Sequence, residues 1–130
     1  MHYAILCYSS EDAIGSWTLE QERAVMGRLA VVEGRLTREG RLGPTARLLP
    51  TTSATTLRKG RRNVVLDGPY AETKEQLLGF YMVDCDGLEQ AIETAVELAA
   101  ANPGGGAYEI RPIDAMSLNL PRRRRLQKPL

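Results

Sequence analysis

The pattern of apolar and polar residues in the first third of the chain predicts a strand followed by a long helix. Residues 2–8, "HYAILCY", are largely apolar at odd and even positions alike, which is typical of a strand covered on both faces. "SSEDAIGSW" follows as a predicted loop. Thr18 and Gln21 then form a capping-box pattern. Gly40 predicts the helix end. The predicted apolar face of this helix is Val25, Leu29, Val32 and Leu36.

The rest of the chain predicts five further strands and one further helix. "LGPTARLLP" indicates a second strand, and "TTLRKGRRNVVLDG" indicates a hairpin that turns at residues 59–62. "LLGFYMVDC" and "AYEIRPI" indicate two more strands. Between them, Asp86 is the predicted cap of a helix, with Glu89 completing a box-like pair, and residues 102–106 end it. The predicted apolar face of this helix is Leu88, Ala91, Ile92, Ala95 and Leu98.

This order of elements predicts an α+β fold of the ferredoxin-like type. Without the hairpin, the chain contains two tandem β-α-β units, which place two helices on one face of a four-stranded sheet. The opposite face is then bare and needs a partner, and a second copy of the chain is the simplest one. We therefore expect a homodimer closed sheet to sheet, with the hairpin inserted between the two units.

Length, composition and charge fit one small domain with a separate basic tail. The chain has 130 residues, of which 43% are hydrophobic and 25% charged. Because no apolar run is long enough to span a bilayer, we expect no membrane contact. All 16 acidic residues precede Pro121, whereas Arg122 to Arg125 follow it. We expect a domain at residues 1–114 and a flexible tail at 115–130. Nucleic-acid binding is not expected, since the body carries a net negative charge.

The two cysteines, Cys7 and Cys85, each lie in an apolar strand-like run. This placement favours free, buried thiols in a cytoplasmic protein over a disulfide. Two isolated cysteines and one histidine do not make a ligand cluster, so we expect neither a metal nor another cofactor.

The segment "DGPYAETKEQLLGFYMVD", residues 67–84, carries the most specific motif. Asp67, Gly68 and Pro69 favour a tight turn. The same segment also brings a carboxylate, the Tyr70 hydroxyl and Lys74 close together in the sequence, as a small ligand site would. With "YEIRPI" near the end, it resembles the DGPF-domain branch of the YCII-related family. That resemblance covers about residues 2–114, and it implies a dimeric α/β barrel built from ferredoxin-like subunits.

The sequence departs from the family pattern at positions that bear on chemistry. Tyr70 stands where the motif usually has phenylalanine, and Leu78 stands where it usually has a first glycine, which leaves Gly79 for close backbone approach. Shorter relatives are thought to use a histidine in the first helix with an aspartate at the end of the second. Here the first helix has no histidine, and Asn102 stands in place of the acid. The residues therefore do not support that acid–base pair.

The remaining candidate site residues lie in the last strand and among the tyrosines. Glu109 and Arg111 share one face of that strand, opposite Ile110. A buried arginine needs an acidic partner, for which Asp67 and Glu109 are the candidates. Asp67 and Arg111 are the candidate catalytic pair. The predicted ligand-binding residues are Asp67, Glu109, Arg111, Tyr8, Tyr70 and Tyr81.

Two functions stay open from the sequence. The first is a barrel that binds or transforms a small polar or anionic molecule. The second is a non-enzymatic dimeric module, because members of the family resemble accessory proteins associated with sigma factors of transcription. A fold of this kind does not decide between them.

Overall fold

In the computed structural model, which describes residues 1–117, the chain forms a four-stranded sheet, a separate two-stranded sheet and three α-helices. The helices are α1 (Glu11–Gly15), α2 (Leu19–Arg38) and α3 (Leu88–Ala101). A single 3-10 turn at Thr51–Ser53 precedes the hairpin. The strands are β1 (His2–Ser9), β2 (Leu42–Arg47), β3 (Thr55–Arg58), β4 (Val64–Asp67), β5 (Gln76–Asp84) and β6 (Ala107–Pro112). The predicted α+β class is confirmed.

The four-stranded sheet has the order β2-β5-β1-β6, and every neighbouring pair is antiparallel. Ile5 of β1 lies opposite Tyr81 of β5 and Ile110 of β6, so these three residues share one face. In the described part of the chain the sheet stays open, with β2 and β6 as its edges. One chain therefore does not form a closed barrel.

The hydrophobic core lies between one face of this sheet and the helices α2 and α3. Tyr3, Ile5 and Val83 from the sheet are buried against Val25 and Leu29 of α2 and Leu98 of α3. Helix α2 contacts the edge strand β2, and α3 contacts the opposite edge strand β6. The core thus fixes which helix lies above which edge of the sheet.

The capping box predicted for the first long helix is confirmed. The Gln21 backbone N–H donates to Thr18 Oγ1 at 3.1 Å, and the Thr18 backbone N–H donates to Gln21 Oε1 at 2.9 Å. The predicted apolar face is also confirmed, since Val25, Leu29 and Leu36 are buried and Val32 packs against the core.

Two predictions about helix starts are wrong. Residues 11–15, predicted as a loop, form α1, where Ser10 Oγ accepts a hydrogen bond from the Ala13 backbone N–H at 3.4 Å. Helix α3 begins after Gly87 and not after Asp86. Asp86 therefore lies one position before the cap. Its backbone N–H donates to Gln90 Oε1 at 2.7 Å.

The buried face of α3 also differs from the prediction. Leu88 and Ile92 are exposed, whereas Thr94 and Ala101 are buried together with Ala91, Ala95 and Leu98. Arg41 explains the buried threonine, because its guanidinium donates to Thr94 Oγ1 and also reaches Glu39. This arginine links the end of α2, the start of β2 and α3.

The predicted hairpin is confirmed as the pair β3–β4, in which Leu57 lies opposite Val65. The Asp-Gly-Pro motif closes its base. The Gly68 backbone N–H donates to the Ala54 carbonyl at 2.7 Å, and Thr56 Oγ1 donates to the Gly68 carbonyl at 2.8 Å. Gly68 has a φ of 102°, a conformation that side chains disfavour, so glycine is required there.

Two further predictions concern the ends and the environment of the chain. Arg122 to Arg125 lie outside the described residues, and the domain boundary at residue 114 stays a prediction. Among residues 1–117, none of the helices has the length and apolar character needed to cross a membrane.

Candidate functional site

A cavity of about 270 Å³ lies between the core face of the sheet and α2. Its walls are mainly apolar, with Trp17, Val25 and Leu29 among them. Uncharged polar side chains also line it, among them Cys7, Tyr81, Asn102 and Tyr108. Glu33 and Arg47 are the charged residues of the lining. An apolar cavity of about 150 Å³ holds benzene, so this one has room for a single substituted ring.

The strand register brings the polar groups together from distant parts of the sequence. Cys7 of β1 lies directly opposite Tyr108 of β6 on one side and Gly79 of β5 on the other. Tyr81 is two residues beyond Gly79 and faces the same way. Asn102 is the residue at which α3 ends. The polar groups therefore come from two central strands, an edge strand and a helix end.

Glycine at position 79 is required for this packing. A Cβ atom there would lie 2.7 Å from the carbonyl oxygen of Ala46 in β2, closer than side chains come to backbone oxygens. The close backbone approach expected from the motif is confirmed. Leu78, which stands at the preceding motif position, lines the cavity beside it.

Two of the polar groups of the cavity donate hydrogen bonds. Asn102 Nδ2 donates to the Tyr108 hydroxyl at 3.4 Å, and the Cys7 thiol donates to the Ile5 carbonyl at 3.9 Å. Within the described residues, every fully buried side-chain nitrogen and oxygen has a partner.

Burial makes Cys7, Tyr81 and Tyr108 harder to ionise, because it raises the pKa of each side chain. It raises the pKa of the Cys7 thiol from 9.0 to about 11, with the Tyr108 hydrogen bond offsetting part of the effect. Burial likewise raises the pKa of Tyr81, and repulsion from ionised Cys7, Tyr108 and Glu33 adds to it. The pKa of Tyr108 rises mainly for the same reason. The cavity thus presents neutral hydrogen-bonding groups near pH 7.

An ion pair joins the two walls of the cavity on the side of β2. Arg47 of β2 donates from Nη1 to Glu22 Oε1 of α2 at 3.3 Å, and the same nitrogen lies 3.8 Å from the Met26 sulfur. Arg47 and Met26 are both exposed lining residues. This contact between a strand and a helix marks the solvent side of the cavity.

The structure brings two of the predicted ligand-binding residues to the cavity. Tyr8 and Tyr81 line it. Asp67 lies at the end of the hairpin, and Tyr70 follows it with a mostly exposed ring, 5.5 Å from the Arg58 guanidinium carbon.

Glu109 and Arg111 lie on the sheet face away from the helices, because Ile110 between them packs against the core as expected. Both are exposed. In the part of the chain that the structure describes, Arg111 is not in an ion pair. The ligand-binding and catalytic roles assigned to these residues and to Asp67 stay predictions.

Sequence reasoning did not identify Cys7, Trp17, Asn102 or Tyr108 as site residues. Cys7 and Cys85 are both free as predicted, and Cys85 is buried, whereas Cys7 is only half-buried. The signal that could have found the site is Asn102, which stands at the position where shorter relatives carry their acid. That position does reach the cavity, although the side chain there is an amide.

A second, open and more polar cleft lies beside the motif segment. Glu11 and Asp12 of α1 line it together with Lys74 and Glu75. Glu11 is already occupied, since its carboxylate accepts hydrogen bonds from the Thr51 backbone N–H and hydroxyl, which lower its pKa. Within residues 1–117, histidine, cysteine and acidic side chains do not gather in a group that could hold a metal ion.

Comparison with known proteins agrees with the family that the motif indicated. The pattern of the YCII-related domain matches residues 1–117. The chain belongs to the YCII-related family. It is also 49% identical over 114 residues to an uncharacterized protein of Rhizobium meliloti (strain 1021), covering 87% of this chain and 92% of that protein.

Proposed function

We propose that this YCII-related protein binds a small, uncharged molecule in the cavity between the sheet and α2. The observation that carries the proposal is the convergence of three neutral polar groups, Cys7, Tyr81 and Tyr108, in an otherwise largely apolar cavity. Pockets of this composition use a few polar groups to orient a ligand and apolar walls to hold it. The volume fits one ring with a short substituent.

The electrostatics favour an uncharged ligand over an anionic one. Burial raises the pKa of the Cys7 thiol to about 11, so the same surroundings disfavour a negative charge on a ligand beside it. Arg111, the cation that favoured an anionic ligand, is not among the residues that line this cavity, and Arg47 in the lining is already paired with Glu22. A carbonyl group suits the site best, because the tyrosine hydroxyls can donate to its oxygen.

We also propose that the protein is a DGPF-type homodimer of ferredoxin-like subunits. The strand order β2-β5-β1-β6 supports this arrangement. The sheet face away from the helices carries Leu6 opposite Phe80 and Ala4 opposite Met82, an apolar strip of the kind that a second sheet covers. Glu109 and Arg111 flank this strip, where each can pair with the opposite charge of a second copy.

A matched pair of probes tests the ligand class. Acetophenone and benzoate have similar shape, but only benzoate is charged at pH 7. Binding is measured by ligand-observed NMR and isothermal titration calorimetry. We expect acetophenone to bind at least about tenfold more tightly than benzoate. Each unit of the rise in the Cys7 pKa corresponds to a factor of ten, and the open side of the cavity reduces the effect on a ligand.

Single substitutions locate the binding site. Tyr81→Phe and Tyr108→Phe each remove one hydroxyl and are expected to weaken acetophenone binding by about three- to tenfold. Tyr70→Phe makes the same chemical change on the exposed ring outside the cavity and is the control. Tighter binding of benzoate, or equal effects of all three substitutions, would contradict the proposal.

A further inference from the structure

The hairpin β3–β4 is an apolar element that the described part of its own chain does not cover. Leu57 and Val65 lie opposite each other on one face, and they are 53% and 66% exposed. A lone two-stranded hairpin is at best marginally stable in water, so a face of this kind requires a cover. The tip adds charge, because Arg58, Lys59, Arg61 and Arg62 occur in residues 55–66 without an acid.

Helix α3 presents a surface of matching chemistry. Leu88, Ile92 and Val96 recur every four residues and are 53%, 44% and 61% exposed. Glu89, Glu93 and Glu97 follow each of them by one residue, and the helix contains no basic residue. Glu97 already pairs with Arg35 at 2.5 Å, so Glu89 and Glu93 carry the charge that is free for another contact.

The two surfaces agree in length as well as in charge. A four-residue strand such as β3 spans about 13 Å, and the eight-residue step from Leu88 to Val96 along the helix spans about 12 Å. The hairpin thus carries an apolar row with a basic end, and α3 carries an apolar row with an acidic flank. This match is more specific than two exposed hydrophobic patches.

Within one chain these surfaces do not cover each other, since both apolar rows are exposed. A two-fold axis that places the hairpin of one copy on α3 of the other makes the same contact twice. We infer that the hairpin of each copy docks on α3 of a second copy through apolar contact and opposite charges.

Charge reversal with rescue tests this contact. The hairpin variant is Arg61→Glu with Arg62→Glu, and the helix variant is Glu89→Arg with Glu93→Arg. Arg58 and Glu97 stay unchanged because each already contacts a residue of its own chain. Sedimentation velocity over a concentration series gives the dimer dissociation constant, and circular dichroism verifies that each variant is folded.

Each variant alone is expected to raise the dissociation constant by about 100-fold, because like charges then meet across the contact. A chain carrying both changes is expected to regain the affinity of the wild type. An equal mixture of the two single-surface variants is expected to form a heterodimer, in which both contacts again join opposite charges. The control is Arg23→Glu with Arg38→Glu on α2, which makes an equal charge change elsewhere.

Three results would overturn the inference. One is a wild-type chain that stays monomeric. Another is equal weakening by the control and the hairpin variant, and the third is loss without rescue in the combined chain. Met82→Glu separates this contact from the sheet-face dimer. If it gives monomers while both charge variants dimerise like the wild type, the sheet-face proposal stands and the hairpin contact is refuted.

Discussion

The Cys7 thiol should resist alkylation because its surroundings disfavour the thiolate, the reactive form. Burial raises its pKa from 9.0 to about 11. At pH 8 the ionised fraction then falls from about 9% to about 0.1%, so iodoacetamide should label Cys7 about 100-fold more slowly than an unfolded chain. Peptide mapping by mass spectrometry separates Cys7 from Cys85.

The pH dependence distinguishes a raised pKa from poor access. Restricted access lowers the labelling rate at every pH, whereas a raised pKa moves the point at which the rate stops increasing. Between pH 7 and 10 the rate at Cys7 should rise about tenfold per unit without levelling, while the urea-unfolded control levels above about pH 9. A folded protein whose rate levels at the pH of the control would refute the electrostatic reasoning.

The same pKa shift affects stability. Because the folded chain binds this proton more tightly than the unfolded chain, the contribution to the free energy of unfolding is complete below pH 9.0 and is lost as pH rises towards about 11. Tyr108→Phe should raise the Cys7 pKa further, because it removes a hydrogen bond that lowers it. Labelling of that variant should therefore be slower still at a given pH.

Two further substitutions test the local structure by thermal and urea unfolding. Gly79→Ala should lower the free energy of unfolding by about 1–3 kcal/mol, because its Cβ would lie 2.7 Å from the Ala46 carbonyl oxygen. Gly27→Ala, with open space around it, should be neutral or stabilising. Equal effects of the two substitutions would contradict this. Thr18→Ala should cost about 1 kcal/mol by removing the cap, whereas Thr37→Ala within the same helix should cost less, and the reverse order would contradict the capping argument.

Local signals explain the parts of the fold that the sequence predicted well. The capping box at Thr18 and Gln21, the hairpin turn and the apolar run of β1 all act between residues close in the chain. The errors are local as well. Asp86 and Gly87 both suit a helix start, and only the packing of α3 selected Gly87. In α3, the contact from Arg41 buried Thr94 where the pattern favoured Ile92.

The candidate site was only partly predictable. Tyr8 and Tyr81 line the cavity under α2 without Glu109 and Arg111, beside which they were expected, and their role in ligand binding stays a prediction. Cys7 and Tyr108 meet because the sheet order places β6 beside β1, a pairing between opposite ends of the chain that alternation along one strand does not determine. Asp67 and Arg111 were paired on chemistry alone, and they lie in different sheets, Asp67 at the end of the hairpin and Arg111 on the edge strand β6.

The sequence by itself determined the six strands, the two long helices and the family, because periodicity, capping and turn chemistry are properties of neighbouring residues. The tertiary structure alone decided which side chains enclose the cavity and which stay uncharged in it, since burial depends on the whole sheet and both long helices. It also left the apolar rows of the hairpin and of α3 exposed, so that neither covers the other within one chain.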